Sequence, residues 1–277
     1  MTTDMTKGSP AKMLWRFTIP MLLSVVFQQF YNIADSVIAG RFIGENALAA
    51  VGASYPVTMI FMAVATGCNI GCSVVISQLF GAKSFQRMKT AISTSFLSAL
   101  ALAALLTLGG FVSAAPILHQ MATPMNIFDD SMIYLNIYIG GLFFLFLYNL
   151  CNGVFTALGD SKTPLYFLIA SSLANIGMDI LFVVSFHMGV AGVAWATFLC
   201  QGIASIFAAF ALYRRLKAIQ VEKYPLFSKR EFLRIAQIAV PSILQQSFIS
   251  VGNLFIQTLV NGFGSAVVAG YSAAVKL

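Results

Sequence analysis

Short polar loops divide the chain into apolar runs that are long enough to cross a bilayer. Seven charge-poor runs have this length, at residues 14–38, 52–79, 91–115, 132–157, 164–186, 190–213 and 235–260, and an eighth starts near Ser265. A spanning helix needs about 20 apolar residues. Because 59% of the 277 residues are hydrophobic and only 9% are charged, a water-facing globule is excluded. The sequence predicts an all-α polytopic membrane protein.

The basic residues predict how these spans are oriented. With the N-terminus in the cytoplasm, all but two of the 16 Lys and Arg residues fall in cytoplasmic segments, the exceptions being Arg41 and Lys276. This is the positive-inside pattern, so the net charge of +7 indicates topology and not nucleic-acid binding. Residues 1–10 are polar and the next run is too long for a signal peptide, so we expect a true first span. We predict a multi-pass protein of the cytoplasmic (inner) membrane with its N-terminus in the cytoplasm.

An internal repeat predicts the domain organisation. Pro20 and Pro241 are separated by the same interval as Asn32 and Asn253, and six spans lie between the two copies. An even number of spans gives both copies the same direction in the membrane, with a repeat axis along the membrane normal. We expect an N-terminal six-helix lobe at 1–213, a basic cytoplasmic linker at 214–234, and the first helix and start of the next helix of a truncated C-terminal lobe at 235–277. The seventh helix should leave the first bundle, and the whole protein should have about twelve helices in two lobes.

Two aspartates, Asp35 and Asp179, are the acidic residues that fall inside the apolar runs. A carboxyl at the centre of a spanning helix costs about 2.5–3.5 kcal/mol on insertion scales, and such groups mark ion pathways by default. Asn175 lies one helical turn from Asp179, and Thr197 should lie at a similar depth. The four side chains suit Na⁺, while two nearby carboxyls could also share a proton. The alternative is a hydrogen-bond cluster that only joins helices.

Pro20 removes a backbone hydrogen bond from the first span, well below Asp35. It predicts either a hinge or a static kink.

These motifs together resemble the multidrug and toxic compound extrusion (MATE) family, along the whole chain and in order. They are Pro20, the segment 32–40 with 48–52, the loops 77–83 and 157–164, the Asn175/Asp179 pair, and the segment 189–197. The resemblance implies two lobes of six helices and export of cationic or amphipathic drugs driven by H⁺ or Na⁺, with no other cofactor.

The resemblance also implies roles for single residues. Asp35, Asn175, Asp179 and Thr197 match the family's ion-coupling positions, which makes them a possible Na⁺ site, Tyr31 and Tyr134 match its hydrogen-bonding tyrosines, and Pro20 matches the proline at which the first helix is proposed to bend.

Two other functions remain open. A flippase of lipid-linked oligosaccharides or peptidoglycan precursors shares this helical architecture, but its anionic pyrophosphate substrate would favour arginines in the cavity, where this chain has acids. A membrane-embedded enzyme would need a clustered nucleophile or metal motif, and Asp160 with Lys162 in a turn is too little.

Overall fold

The computed structural model describes residues 10–221 and 223–276, and within them all side chains except those of Pro10, Lys12, Met13, Arg16, Asp35, Ala39 and Lys276. The described part is built from helices. They are α1 (Pro10–Ile38), α2 (Glu45–Gly81), α3 (Phe85–Gln120), α4 (Met125–Gly140), α5 (Leu142–Ala157), α6 (Lys162–Ile180), α7 (Gly189–Ala218), α8 (Lys229–Asn261) and α9 (Ser265–Lys276). Residues 1–9, most of the predicted polar start, lie outside the described part.

Six of these helices are long and apolar enough to cross a membrane, and α4 with α5 forms a seventh span that is bent by 50°. The sequence predicted one continuous span at 132–157. The chain turns at Gly141, where a Cβ atom would lie 3.1 Å from the Phe198 ring and 3.2 Å from the Tyr138 carbonyl oxygen. A glycine at this point lets the bent span approach α7 closely.

The core of the bundle lies around α2. This helix packs against α3, α4 and α5, while α7 packs against α5 and α1 packs against α6. Phe146 and Phe155 of α5 are completely buried between these helices, together with Ile76 of α2. The six spans from α1 to α7 therefore form one helical membrane bundle, which confirms the predicted fold class.

The seventh span, α8, lies against this bundle. It packs along α2, where Gly71 leaves room for it: a Cβ atom there would lie 2.7 Å from Ala239 Cβ and 2.8 Å from the Ile235 carbonyl oxygen. Gly67 and Gly71 of α2 both face residues of α8. Because the first helix of a second lobe can also pack against α2, the departure of α8 from the first bundle and the division into lobes both stay predictions.

Both ends of α8 are also attached to the first six spans. At the basic end, Arg87 of α3 donates two hydrogen bonds to Oε1 of Glu231, at 3.0 and 2.8 Å, and Glu231 is only 3% exposed. At the other end, the amide of Asn261 donates to the Met121 carbonyl at 2.9 Å.

The connection before α8 is shorter than the predicted linker at 214–234. The helices α7 and α8 extend into it from both sides, so only residues 219–228 separate the two helices. The basic residues at the end of α7 continue the helix, and one of them, Arg215, pairs with Asp160 at 3.0 Å.

Candidate functional site

Asp179 lies on α6 and is completely buried. Asn175, one turn earlier and 2% exposed, joins it to α7. The Asn175 amide has one orientation in which both its nitrogen and its oxygen form hydrogen bonds. In that orientation the nitrogen donates to Asp179 Oδ2 at 2.9 Å and the oxygen accepts from the Thr197 backbone N–H at 3.1 Å. Asn175, Asp179 and Thr197 therefore form one hydrogen-bonded group between α6 and α7, as the sequence predicted for their positions.

The first helix reaches the same group through Tyr31. The hydroxyls of Tyr31 and Thr197 are 3.4 Å apart, and either one can donate. Asp35 lies one turn beyond Tyr31 on α1, but its side chain is outside the described ones. The predicted proximity of the two carboxyls therefore stays a prediction.

A cavity of about 160 Å³ lies against this group, between α1, α2 and the helices α4 to α7. Tyr31, Tyr134, Asn175 and Thr197 all line it, so the structure brings both predicted tyrosines to the predicted site. Asp179 is not among the described lining residues and is joined to the wall through Asn175.

This cavity adjoins a second one of about 390 Å³, with which it shares lining residues of α1, α2 and α7. Amide and hydroxyl side chains line both, and no Lys or Arg is among the described lining residues. The sequence reasoning missed several of them, including Gln28, Tyr55, Asn149, Asn152 and Gln201. Helical spacing would have indicated two of them, because Gln28 lies one turn from Asn32 and Gln201 lies one turn from Thr197.

Each intramembrane aspartate is followed by a short π-helical turn. These turns, Ala39–Ile43 after α1 and Leu181–Ser185 after α6, contact each other. Ile38, Val183 and Val193 form a buried apolar cluster there. Insertions of this kind often occur at functional sites. Val183 lies one turn after Asp179 and Val193 one turn before Thr197, so the cluster borders the polar group.

Pro20 lies inside α1 and is buried. It is about four turns before Asp35 and outside the polar group. Its predicted role as a hinge is not tested by this arrangement and stays a prediction.

Comparison with known proteins gives consistent matches. The family model described as MatE matches residues 20–181. A relative from Bacillus subtilis (strain 168), named "Probable multidrug resistance protein YpnP", is 30% identical over 275 residues, which cover 99% of this chain and 61% of that protein. The chain thus spans about three fifths of the length of the curated relatives that it matches.

Solved structures match as well. One described as the outward-facing conformation of a multidrug resistance MATE family transporter superposes with a TM-score of 0.85 at 26% identity, over 99% of this chain and 62% of that one. Another, described as MATE in the straight conformation, gives a TM-score of 0.84 at 26% identity, over 100% of this chain and 63% of that one.

The segment matched by the family model includes Pro20, Asp35, Asn175 and Asp179. The helical fold and the hydrogen-bonded group at Asn175 are both consistent with that match. Members of this family are transporters, which rejects the membrane-enzyme alternative. The chain belongs to the MatE family of multidrug and toxic compound extrusion proteins.

Proposed function

We propose that the full-length protein is a cation-coupled antiporter that exports cationic or amphipathic drugs across the cytoplasmic membrane. The observation that carries this proposal is the burial of Asp179 together with its link, through Asn175, to Thr197 at the wall of a polar cavity. A carboxylate within a bilayer is costly unless it is neutralised, so such a group favours the uptake of H⁺ or Na⁺. The names of the relatives support export of drugs.

The Asn175 amide links the charge of Asp179 to α7. With its nitrogen towards Asp179 Oδ2 it stabilises a charged carboxylate, while its oxygen accepts from the Thr197 backbone N–H. A proton taken up by Asp179 would weaken this charge-assisted hydrogen bond, and Na⁺ bound by the carboxylate would compete for the same oxygen.

The first helix would couple this change to the cavity. Tyr31 contacts Thr197, and α1 forms one wall of both cavities through residues such as Ser24, Gln28 and Asn32. We expect that neutralisation of the polar group, which includes Asp35 in our proposal, changes the packing of α1 and expels the substrate. Bending at Pro20 would allow this movement.

The orientation follows from the basic residues, with the N-terminus and the basic end of the bundle in the cytoplasm. When the exporter faces outward, the polar group would take up its ion from outside the cell.

The cavity lining favours a drug over a pyrophosphate-linked lipid. The described lining offers amides, hydroxyls and Met59 and Met62, and no Lys or Arg. An anionic pyrophosphate would lack a counter-charge there, whereas a cationic amphipathic compound could use both the polar and the apolar side chains.

The test is dye efflux from vesicles that contain the full-length protein, with a proton gradient and a sodium gradient applied separately. We expect one gradient to drive efflux and Asp179→Asn to abolish it. Asp129→Asn, which removes an exposed carboxylate from α4, is the matched control and should leave efflux unchanged. Efflux that needs neither gradient, or that survives in Asp179→Asn, would reject ion coupling at this group.

A further inference from the structure

A crevice lies on the side of the helical bundle, between α3 and α8. The proposed transport cycle does not use it. The crevice has a volume of about 230 Å³ and extends from Phe232 to Ile243 on α8. Small side chains form its floor, among them Ala99 of α3 and Ala236 and Ala239 of α8. The crevice exists because these side chains are too short to fill the space between the two helices.

The surface of this crevice is apolar. Its two serines donate to carbonyls of their own helix: Ser95 Oγ to Ala91 at 2.8 Å, and Ser98 Oγ to Thr94 at 2.7 Å. Their hydrogen-bonding needs are therefore met within α3. An apolar cavity of about 150 Å³ in a protein stays dry and binds hydrocarbon, so hydrocarbon suits this larger crevice better than water does.

The length and depth of the crevice match one leaflet of a bilayer. The twelve residues from Phe232 to Ile243 rise about 16 Å along α8, and half of the hydrocarbon core is about 15 Å thick. At the end near Phe232, the loop residues Leu226 and Phe227 are 67% and 52% exposed. Exposed apolar and aromatic residues of this kind are typical of the membrane–water interface.

Positive charge lies at the same end. Lys229 is exposed and lies two helical turns from Ala236 on the same face of α8, and Arg87 lies three turns from Ser98 on the same face of α3. Arg87 is 42% exposed even though it pairs with Glu231. Glu231 is buried in that pair, and the other acidic residue of the connection, Glu222, lies outside the described residues.

We propose that this crevice binds one anionic phospholipid of the cytoplasmic leaflet. One acyl chain lies between α3 and α8, and the phosphate headgroup contacts Lys229 and the exposed side of Arg87. Anionic lipids are enriched in the cytoplasmic leaflet, where the basic end of the bundle is placed. The lipid would fill the space between α3 and the span that follows the connection, and so stabilise their contact.

The test uses the full-length protein, purified in detergent and supplied with phosphatidylglycerol or phosphatidylcholine of identical acyl chains. Native mass spectrometry measures the retained lipid. We expect one phosphatidylglycerol to be retained in preference to phosphatidylcholine. Lys229→Gln should weaken its retention about fivefold, the effect of one basic residue near a membrane surface. Arg230→Gln is the matched control, since Arg230 is exposed on the other side of α8, and should retain the lipid.

A second pair of variants tests the apolar part. Ala236→Phe fills the crevice and should abolish retention of this lipid, whereas Gln237→Phe adds the same ring at the next, exposed position and should not. Equal retention of both lipids by the wild type, or equal losses in Lys229→Gln and Arg230→Gln, would overturn the headgroup site. A structure of the full-length protein with a helix of its remaining part in the crevice would also overturn the proposal, whatever Ala236→Phe does to folding.

Discussion

The helices α1 and α8 are copies of each other in the sequence repeat, but they pack in different ways. The α8 helix is attached along α2 and at both of its ends, through Glu231 to Arg87 and through Asn261 to Met121. The α1 helix packs mainly against α6 and has fewer contacts with the other helices. The repeat therefore places one helix attached along α2 and one attached mainly to α6 at equivalent positions.

Their polar residues differ in the same way. The α1 helix directs Tyr31 towards Thr197 and carries Asp35, whereas the position equivalent to Asp35 in α8 is Ile256, which is 46% exposed. Pro20 is buried, and its counterpart Pro241 is exposed. In the proposed mechanism, ion binding near α1 would therefore shift the helix that has fewer contacts, while α8 stays attached to α2.

The largest expected difference between the two helices concerns the acid. Asp35→Asn imitates the protonated state permanently, so it should reduce gradient-driven dye efflux by about 100-fold or more, as expected for the loss of a coupling group. Folding should be retained, because the neutral amide of Asn lowers the insertion cost that a carboxylate has at this depth. Efflux from vesicles with equal amounts of protein is the measurement.

The matched change in α8 is Ile256→Asn. It should leave efflux within about twofold of the wild type, since Ile256 is outside the polar group. Normal efflux by Asp35→Asn would show that this carboxyl is structural. Equal losses in both variants would mean that the two helices are equivalent after all.

The contact between α2 and α8 should be the next most sensitive. Gly71→Val adds atoms where a Cβ atom already lies 2.8 Å from the backbone oxygen of Ile235. Because backbone has to move, we expect a loss of about 1–3 kcal/mol, measured as a lower unfolding temperature of the full-length protein in detergent. Gly177→Val on α6 is the control, because nothing lies within 4 Å of a Cβ atom there. An unchanged unfolding temperature in Gly71→Val would mean that α8 separates easily from α2.

The sequence predicted the spans and the pairing of Asn175 with Asp179, because both depend on local patterns. Apolar runs set the helices, and the one-turn spacing of Asn175 and Asp179 placed both on one face. The attachment of α8 was missed because glycines such as Gly71 indicate close packing without naming the partner. The amide-lined cavity was missed because single polar residues such as Gln201 carry little signal within an apolar run. The π-helical turns have no signal in the sequence.

The ion pair at the basic end should contribute less to stability than the glycine contact. Arg87→Ala removes two hydrogen bonds from Glu231, and breaking a fully buried pair costs about 3–5 kcal/mol. Arg87 is 42% exposed, however, and Arg234 also contacts Glu231 at 3.4 Å, so we expect about 1 kcal/mol.

Hydrogen exchange measures this effect locally. Exchange should increase in the first turns of α8 and stay unchanged in α1, which has no equivalent pair among the described residues. Lys83→Ala, which removes an exposed charge from the same end of the bundle, is the control. Equal exchange in Arg87→Ala and the wild type would show that the pair does not hold α8.

The two prolines should give the smallest effect and the most specific one. Pro20→Ala restores a donor to the backbone of α1 and stiffens the helix, so we expect dye efflux to slow by a few fold while ion binding at the polar group is retained. Pro241→Ala makes the same chemical change in α8, which is already attached to α2, and should alter efflux less. Initial efflux rates separate the two variants, and protection of the protein against heat by the coupling ion reports ion binding. A loss of that protection in Pro20→Ala would place Pro20 in the site itself, whereas equal rates in both variants would remove the hinge from α1.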